Sequence, residues 1–147
     1  MDKLTANLQS VEVLYYMAVN LKFKDETMTG NVLRTWTVPV VYERAAVKEI
    51  ISTRVQREVE KYNQSAEDYF NGLVQPSSAE VSLNGYRQKK KQYIDPAEQT
   101  ETALKGFSAN AFIVLINDRQ AESLEEIVEV NENTEISFIK LTPLVGG

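Results

Sequence analysis

Cysteine and histidine are both missing from this chain of 147 residues. Their absence removes thiol nucleophiles, imidazole bases and the usual zinc ligands together. Disulfides are excluded, so cross-links do not fix the compartment. The six glycines form no phosphate-cradling loop, so any ATP chemistry belongs to a partner. No stretch approaches the roughly 20 apolar residues of a membrane span, and Met1-Asp2-Lys3-Leu4 does not open a signal peptide. Basic charge is in deficit too: the formal net charge is -5, whereas phosphate binding needs a basic face. A cytoplasmic protein with no metal, no membrane and no nucleic-acid partner is expected.

What is present fits one domain spanning residues 1–147, at 43% hydrophobic and 25% charged residues. Residues 11–24, VEVLYYMAVNLKFK, are rich in β-formers. A turn around Gly30 leads to a second strand over residues 32–42. Pro39 lies inside that strand, which suits an edge or a bulge. Residues 45–62 carry a helical period through Val47, Ile50, Ile51, Val55, Val59 and Tyr62. Lys48, Glu49, Arg54, Arg57, Glu58 and Glu60 are expected mostly to face away.

Residues 63–110 read as an insertion, irregular at first, with a short strand near Glu80 to Leu83. A second helix then begins with Asp95 as its cap and Pro96 at its first position, and Gly106 is its expected stop. The apolar run 111–116 predicts a strand buried on both faces. A short strand at 124–130 and a last strand at 134–141 follow, with Ile136 and Phe138 on one face. This order predicts an α+β fold, with the first and last strands paired in parallel and the main helix across one face: the β-grasp arrangement.

The chain closes Thr142-Pro143-Leu144-Val145-Gly146-Gly147. Two terminal glycines arise by chance roughly once in 200 sequences at average usage. Here they follow a strand and a proline that ends it. An α-carboxyl, with a reference pKa of about 3.3–3.7, is an ionised nucleophile that could attack the α-phosphate of ATP. Glycine lacks Cβ, so the last two residues could thread a narrow channel. Five extended residues reach roughly 17 Å. Tail 142–147 is therefore the candidate working part; the bland alternative is an incidental end.

The ending NENTEISFIKLTPLVGG resembles the C-termini of the β-grasp sulfur carriers, such as the small subunit of molybdopterin synthase. It is similar also to ubiquitin and its bacterial relatives. Residues 112–131, FIVLINDRQAESLEEIVEVN, resemble the preceding part of those proteins. The resemblance implies a ubiquitin-like modifier that is not itself an enzyme. Gly147 would be the residue adenylated by a ubiquitin-activating-type enzyme using ATP, with Gly146 beside it in the channel. Pro143, Leu144 and Val145 would fill the approach groove, and Phe138 and Leu141 would belong to the surface docking that enzyme. A conjugating enzyme, a deconjugating protease and a target protein are the further partners implied. The alternatives are a sulfur carrier ending in a thiocarboxylate and a non-covalent interaction module. The insertion at 63–110 departs from the compact carriers and favours the modifier. Arg87, Lys89, Lys90 and Lys91 read as a solvated loop or as acceptor lysines, and Glu122, Glu125, Glu126 and Glu129 as surface.

Overall fold

The computed structural model describes residues 18–77, 80–82, 85–87 and 91–141. The architecture is α+β, built on a mixed five-stranded sheet, as the sequence predicts. Strand β1 (Val19–Glu26) turns into β2 (Val32–Val40). Gly30, at φ +89°, takes the left-handed conformation that the turn requires. Its N–H donates to the Thr27 carbonyl at 3.0 Å, and the Asn31 N–H donates to Thr27 Oγ1 at 3.0 Å. β2 is one of the two outer strands of the sheet among the described residues, the position in which a Pro such as Pro39 is tolerated. A register shift at Asp25/Glu26 breaks the other end of that edge.

Strand β3 (Arg44–Ala46) leads into helix α1 (Val47–Gln64), and β4 (Tyr69–Phe70), β5 (Glu80–Ser82) and β6 (Gly85–Arg87) form a small sheet in the order β4-β6-β5. Helix α2 (Pro96–Ser108) precedes β7 (Phe112–Ile116), β8 (Arg119–Gln120), β9 (Ile127–Glu129) and β10 (Glu135–Lys140). The main sheet runs β2-β1-β10-β7-β8. β1 and β10 lie parallel at its centre, with Phe23 opposite Ile136 and Asp25 opposite Phe138. β3 pairs with β9 outside the main sheet.

Alternation places Leu21, Phe23, Val114, Ile136 and Phe138 on one face, all at most 1% exposed. Against them α1 buries Val47, Ile50, Ile51, Val55 and Val59. β7 is buried on one face only: Phe112, Val114 and Ile116 are covered, while Ile113 and Leu115 are half-buried. The two-sided burial expected of this strand is not reached, because the core cluster packs against its Phe112, Val114 and Ile116 face alone.

The start of α1 is closed by backbone rather than by a cap side chain. Val47 and Lys48 N–H groups donate to the carbonyls of Glu126 and Leu124, each at 2.9 Å. Ala46 has no side-chain oxygen to offer, but the Glu49 carboxylate reaches back to the Ala46 N–H at 3.0 Å. Asp95 caps α2 by accepting the Ala97 N–H at 3.0 Å, with Pro96 next, as predicted. Gly106 is not the stop. It lies inside α2, where an added Cβ would meet Phe112 at 3.4 Å and Val74 at 3.5 Å. The left-handed residue that ends the helix is Asn110, at φ +59°.

Residues 63–110 join the core of the sheet rather than standing apart: Phe70, Leu73, Val74, Ile94 and Ala103 are buried in the same cluster. Asn63 clasps the Ile94 backbone from both sides, at 2.9 Å each. Among the described residues, no helix is long and apolar enough to cross a membrane.

Candidate functional site at the end of the last strand

The five residues proposed from the tail, Pro143, Leu144, Val145, Gly146 and Gly147, lie outside the described residues. What the structure places is the root from which they continue. The Leu141 N–H donates to the Ala111 carbonyl at 3.1 Å, extending the β10–β7 ladder by one rung. Leu141 is half-buried. Phe138 is only 1% exposed, so its ring is core and is not presented to a docking partner. That corrects the expectation for Phe138. Its alternation with Ile136 puts it under α1, where it meets the rings of Phe23 and Phe112.

Phe138 also floors a cluster of charges. Arg54, on α1, is 0% exposed and grips Asp25 of β1 with two nitrogens; the Nη2–Oδ2 bond is 2.9 Å. Arg54 Nε donates to Glu58, one helical turn later, at 2.5 Å. Arg34 of β2 reaches Asp25 at 3.2 Å and Glu58 at 3.5 Å. The Arg54 guanidinium stacks 4.4 Å above the Phe138 ring and 4.8 Å from Trp36, and Arg34 covers Trp36 at 4.3 Å. Such burial is tolerable because paired carboxylates meet the planar fork in two-point geometry.

Lys140, next on the same face of β10, donates its ammonium to the Gly72 carbonyl at 2.5 Å. Glu58 accepts the Leu73 N–H at 3.1 Å. One cluster therefore ties β1, β2, α1, the root of the tail and the 71–73 loop of the insertion. Much of the Lys140 surface is open to solvent, yet its ammonium end is covered. That burial, reinforced by Arg54, lowers its pKa from the ordinary 10.5 despite the pull of Asp25 and Glu58. A cleft of about 530 Å³ opens beside it, lined by Met28, Leu33, Arg34, Asn71, Phe138 and Lys140 among others. Met28 and Leu33 are 71% and 69% exposed.

Sequence reasoning placed Arg54 and Glu58 mostly outward, and the structure reverses this. The signal was there: 47, 50, 51, 54, 55, 58, 59 and 62 make one unbroken helical stripe, and two charges sit on it. Lys91 is likewise no free lysine. Its ammonium caps the end of α1, donating to the carbonyls of Tyr62 (2.8 Å) and Glu67 (2.6 Å) and lying 3.4 Å over the Tyr62 ring. Lys89 and Lys90 lie outside the described residues.

Glu126 is tied to Arg119 at 2.5 Å and accepts the Glu122 N–H at 2.8 Å. That backbone bond, with Arg119, holds its pKa below the ordinary 4.5 against the opposing effect of burial. Among the described residues, no group of three or more acidic side chains is arranged to hold a metal ion. No protein-family model, curated protein or solved structure matches this chain.

Proposed function

We propose that this chain is a ubiquitin-like protein modifier of the β-grasp type, whose reactive group is the carboxylate of Gly147. The observation that carries the reading is the parallel pairing of β1 with β10 at the centre of the sheet, with α1 across one face. A strand held on both sides fixes the point from which the six residues after Leu141 depart. The closing Gly146-Gly147 supplies a main chain narrow enough for an adenylating active site.

In this reading a partner enzyme binds ATP. The Gly147 carboxylate attacks the α-phosphate and pyrophosphate leaves; an enzyme cysteine thiolate then attacks the acyl-adenylate, AMP leaves, and the acyl group is held as a thioester. A target amine then displaces the thiol, and a deconjugating protease reverses the bond. The chain itself acts as reagent, with no catalytic residue and no cofactor of its own. The reading requires Gly147 to be the last residue of the working protein, which terminal peptide mapping checks.

The decisive experiment incubates the protein with an adenylating partner enzyme, its conjugating enzyme and ATP. A covalent adduct through Gly147 is expected, and it must vanish when Gly147 is deleted. Adducts that persist after that deletion refute the proposal. A free protein that instead gains the mass of one sulfur-for-oxygen exchange identifies a sulfur carrier.

A further inference from the structure

We propose that Asn71 is a site of spontaneous intramolecular modification, in which the Gly72 backbone nitrogen closes on the Asn71 side chain, assisted by the Lys140 ammonium. The inference rests on the 71–73 loop and on Lys140 of β10, and is independent of the chemistry proposed for Gly147.

Asn71 follows the end of β4, in no helix or strand, and is exposed at the rim of the cleft beside Lys140. No hydrogen bond holds its side chain among the described residues. The residue after it is glycine because packing demands it. A Cβ at Gly72 would lie 2.2 and 2.3 Å from two atoms of the Phe70 ring and 2.8 Å from the Glu58 carboxylate. Glycine places no Cβ of its own beside the nitrogen following Asn71; the Phe70 ring and the Glu58 carboxylate occupy the space such a Cβ would take. Downstream the loop is pinned: the Gly72 carbonyl accepts the Lys140 ammonium at 2.5 Å, and the Leu73 N–H is held by Glu58 at 3.1 Å. The Lys140 cation on the Gly72 carbonyl lies one peptide unit from the attacking nitrogen and favours loss of its proton.

The steps balance with water as the only co-reactant. The deprotonated Gly72 nitrogen forms a bond to Cγ of Asn71, the Cγ–NH2 bond breaks, and ammonia leaves with a proton. The five-membered succinimide then takes up water at either carbonyl, giving aspartate or isoaspartate at 71. Either product sets a new carboxylate in the cleft. Lys140 has no carboxylate within ion-pair distance among the described residues, so the product gains a partner there. Isoaspartate also lengthens the main chain by one carbon and draws the Gly72 carbonyl away from Lys140. The result is an irreversible change of one unit of charge where β10 ends.

The test ages the whole folded protein at mildly alkaline pH, then digests it and follows each asparagine by mass. Asn71 should be lost before Asn63 and Asn133, neither of which precedes glycine, and faster as pH rises. Its products should include isoaspartate, and Lys140→Met should slow it. Circular dichroism of the aged and variant proteins confirms that the fold is intact. Loss of Asn71 no faster than loss of Asn63 and Asn133 overturns the proposal, as does an undiminished rate in Lys140→Met.

Discussion

Arg54→Met is the substitution that most directly probes the cluster under the sheet. Methionine keeps most of the stem volume and removes the charge. Arg54 is 0% exposed, and the side chains it serves, Asp25 and Glu58, are 15% and 10% exposed. Losing it leaves two carboxylates with little water, answered among the described residues by Arg34 at 3.2 and 3.5 Å, by the Leu73 N–H on Glu58 and by the more distant Lys140. Breaking a buried pair from one side costs about 3–5 kcal/mol. Loss of the guanidinium above Phe138 and near Trp36 adds about 0.5–1 kcal/mol at each ring, which Arg34 partly offsets by moving closer.

A net loss of about 3–5 kcal/mol corresponds to a fall in Tm of roughly 10–16 °C in a chain of this size. Urea unfolding followed by the fluorescence of Trp36, the single tryptophan, measures it. The triple variant Asp25→Asn, Arg54→Met, Glu58→Gln should recover most of the loss, since no stranded charge remains. A single-variant cost below about 1 kcal/mol, or a triple variant no more stable than Arg54→Met, refutes the reasoning.

Gly72→Ala forces a Cβ to 2.2 Å from the Phe70 ring, and should cost about 1–3 kcal/mol by overpacking, read in the same urea assay. Asp95→Ala removes the bond to the Ala97 N–H and should cost about 1 kcal/mol, seen as a small fall in Tm. The lowered pKa of Glu126 means that its stabilisation is complete above the unfolded value of 4.5 and is lost as pH falls through the lower folded value. Glu126→Gln should therefore flatten the acid limb of a Tm-against-pH curve at Glu126's expense, and an unchanged limb would contradict the assignment.

The long elements were legible because their period is written in the sequence. α1 announces itself through apolar residues from Val47 to Tyr62, and β10 through Ile136 and Phe138. What stayed hidden was set by partners distant in the chain. β3 is three residues long and exists because Arg44, Ala45 and Ala46 meet Glu129, Val128 and Ile127; its own pattern merges with the helix that follows. β4 and β8, at two residues each, carry no period at all. Arg54 and Glu58 were misread because charge was taken to mean solvent, although their spacing placed them on the buried stripe. Phe138 was offered to a partner for the opposite reason: an apolar residue near the tail suggests a docking surface, until pairing with β1 and β7 shows both flanks of its strand filled.

The same cluster ties residues 63–110 to the sheet. The 71–73 loop supplies a carbonyl to Lys140 and an N–H to Glu58. Gly72 yields its side-chain space to Phe70, which packs edge-on against Tyr62 of α1 at 5.4 Å. Cutting the insertion out would strip the cover from Glu58 and from the Lys140 ammonium, raising the cost of keeping Arg54 dry. Deleting residues 63–110 would therefore require the ion cluster to be replaced by apolar residues at the same time. That arrangement makes the 71–73 loop and the end of β10 one mechanical unit. A change in the insertion is then transmitted to Lys140, two residues before Thr142, through bonds already named rather than through the sheet as a whole.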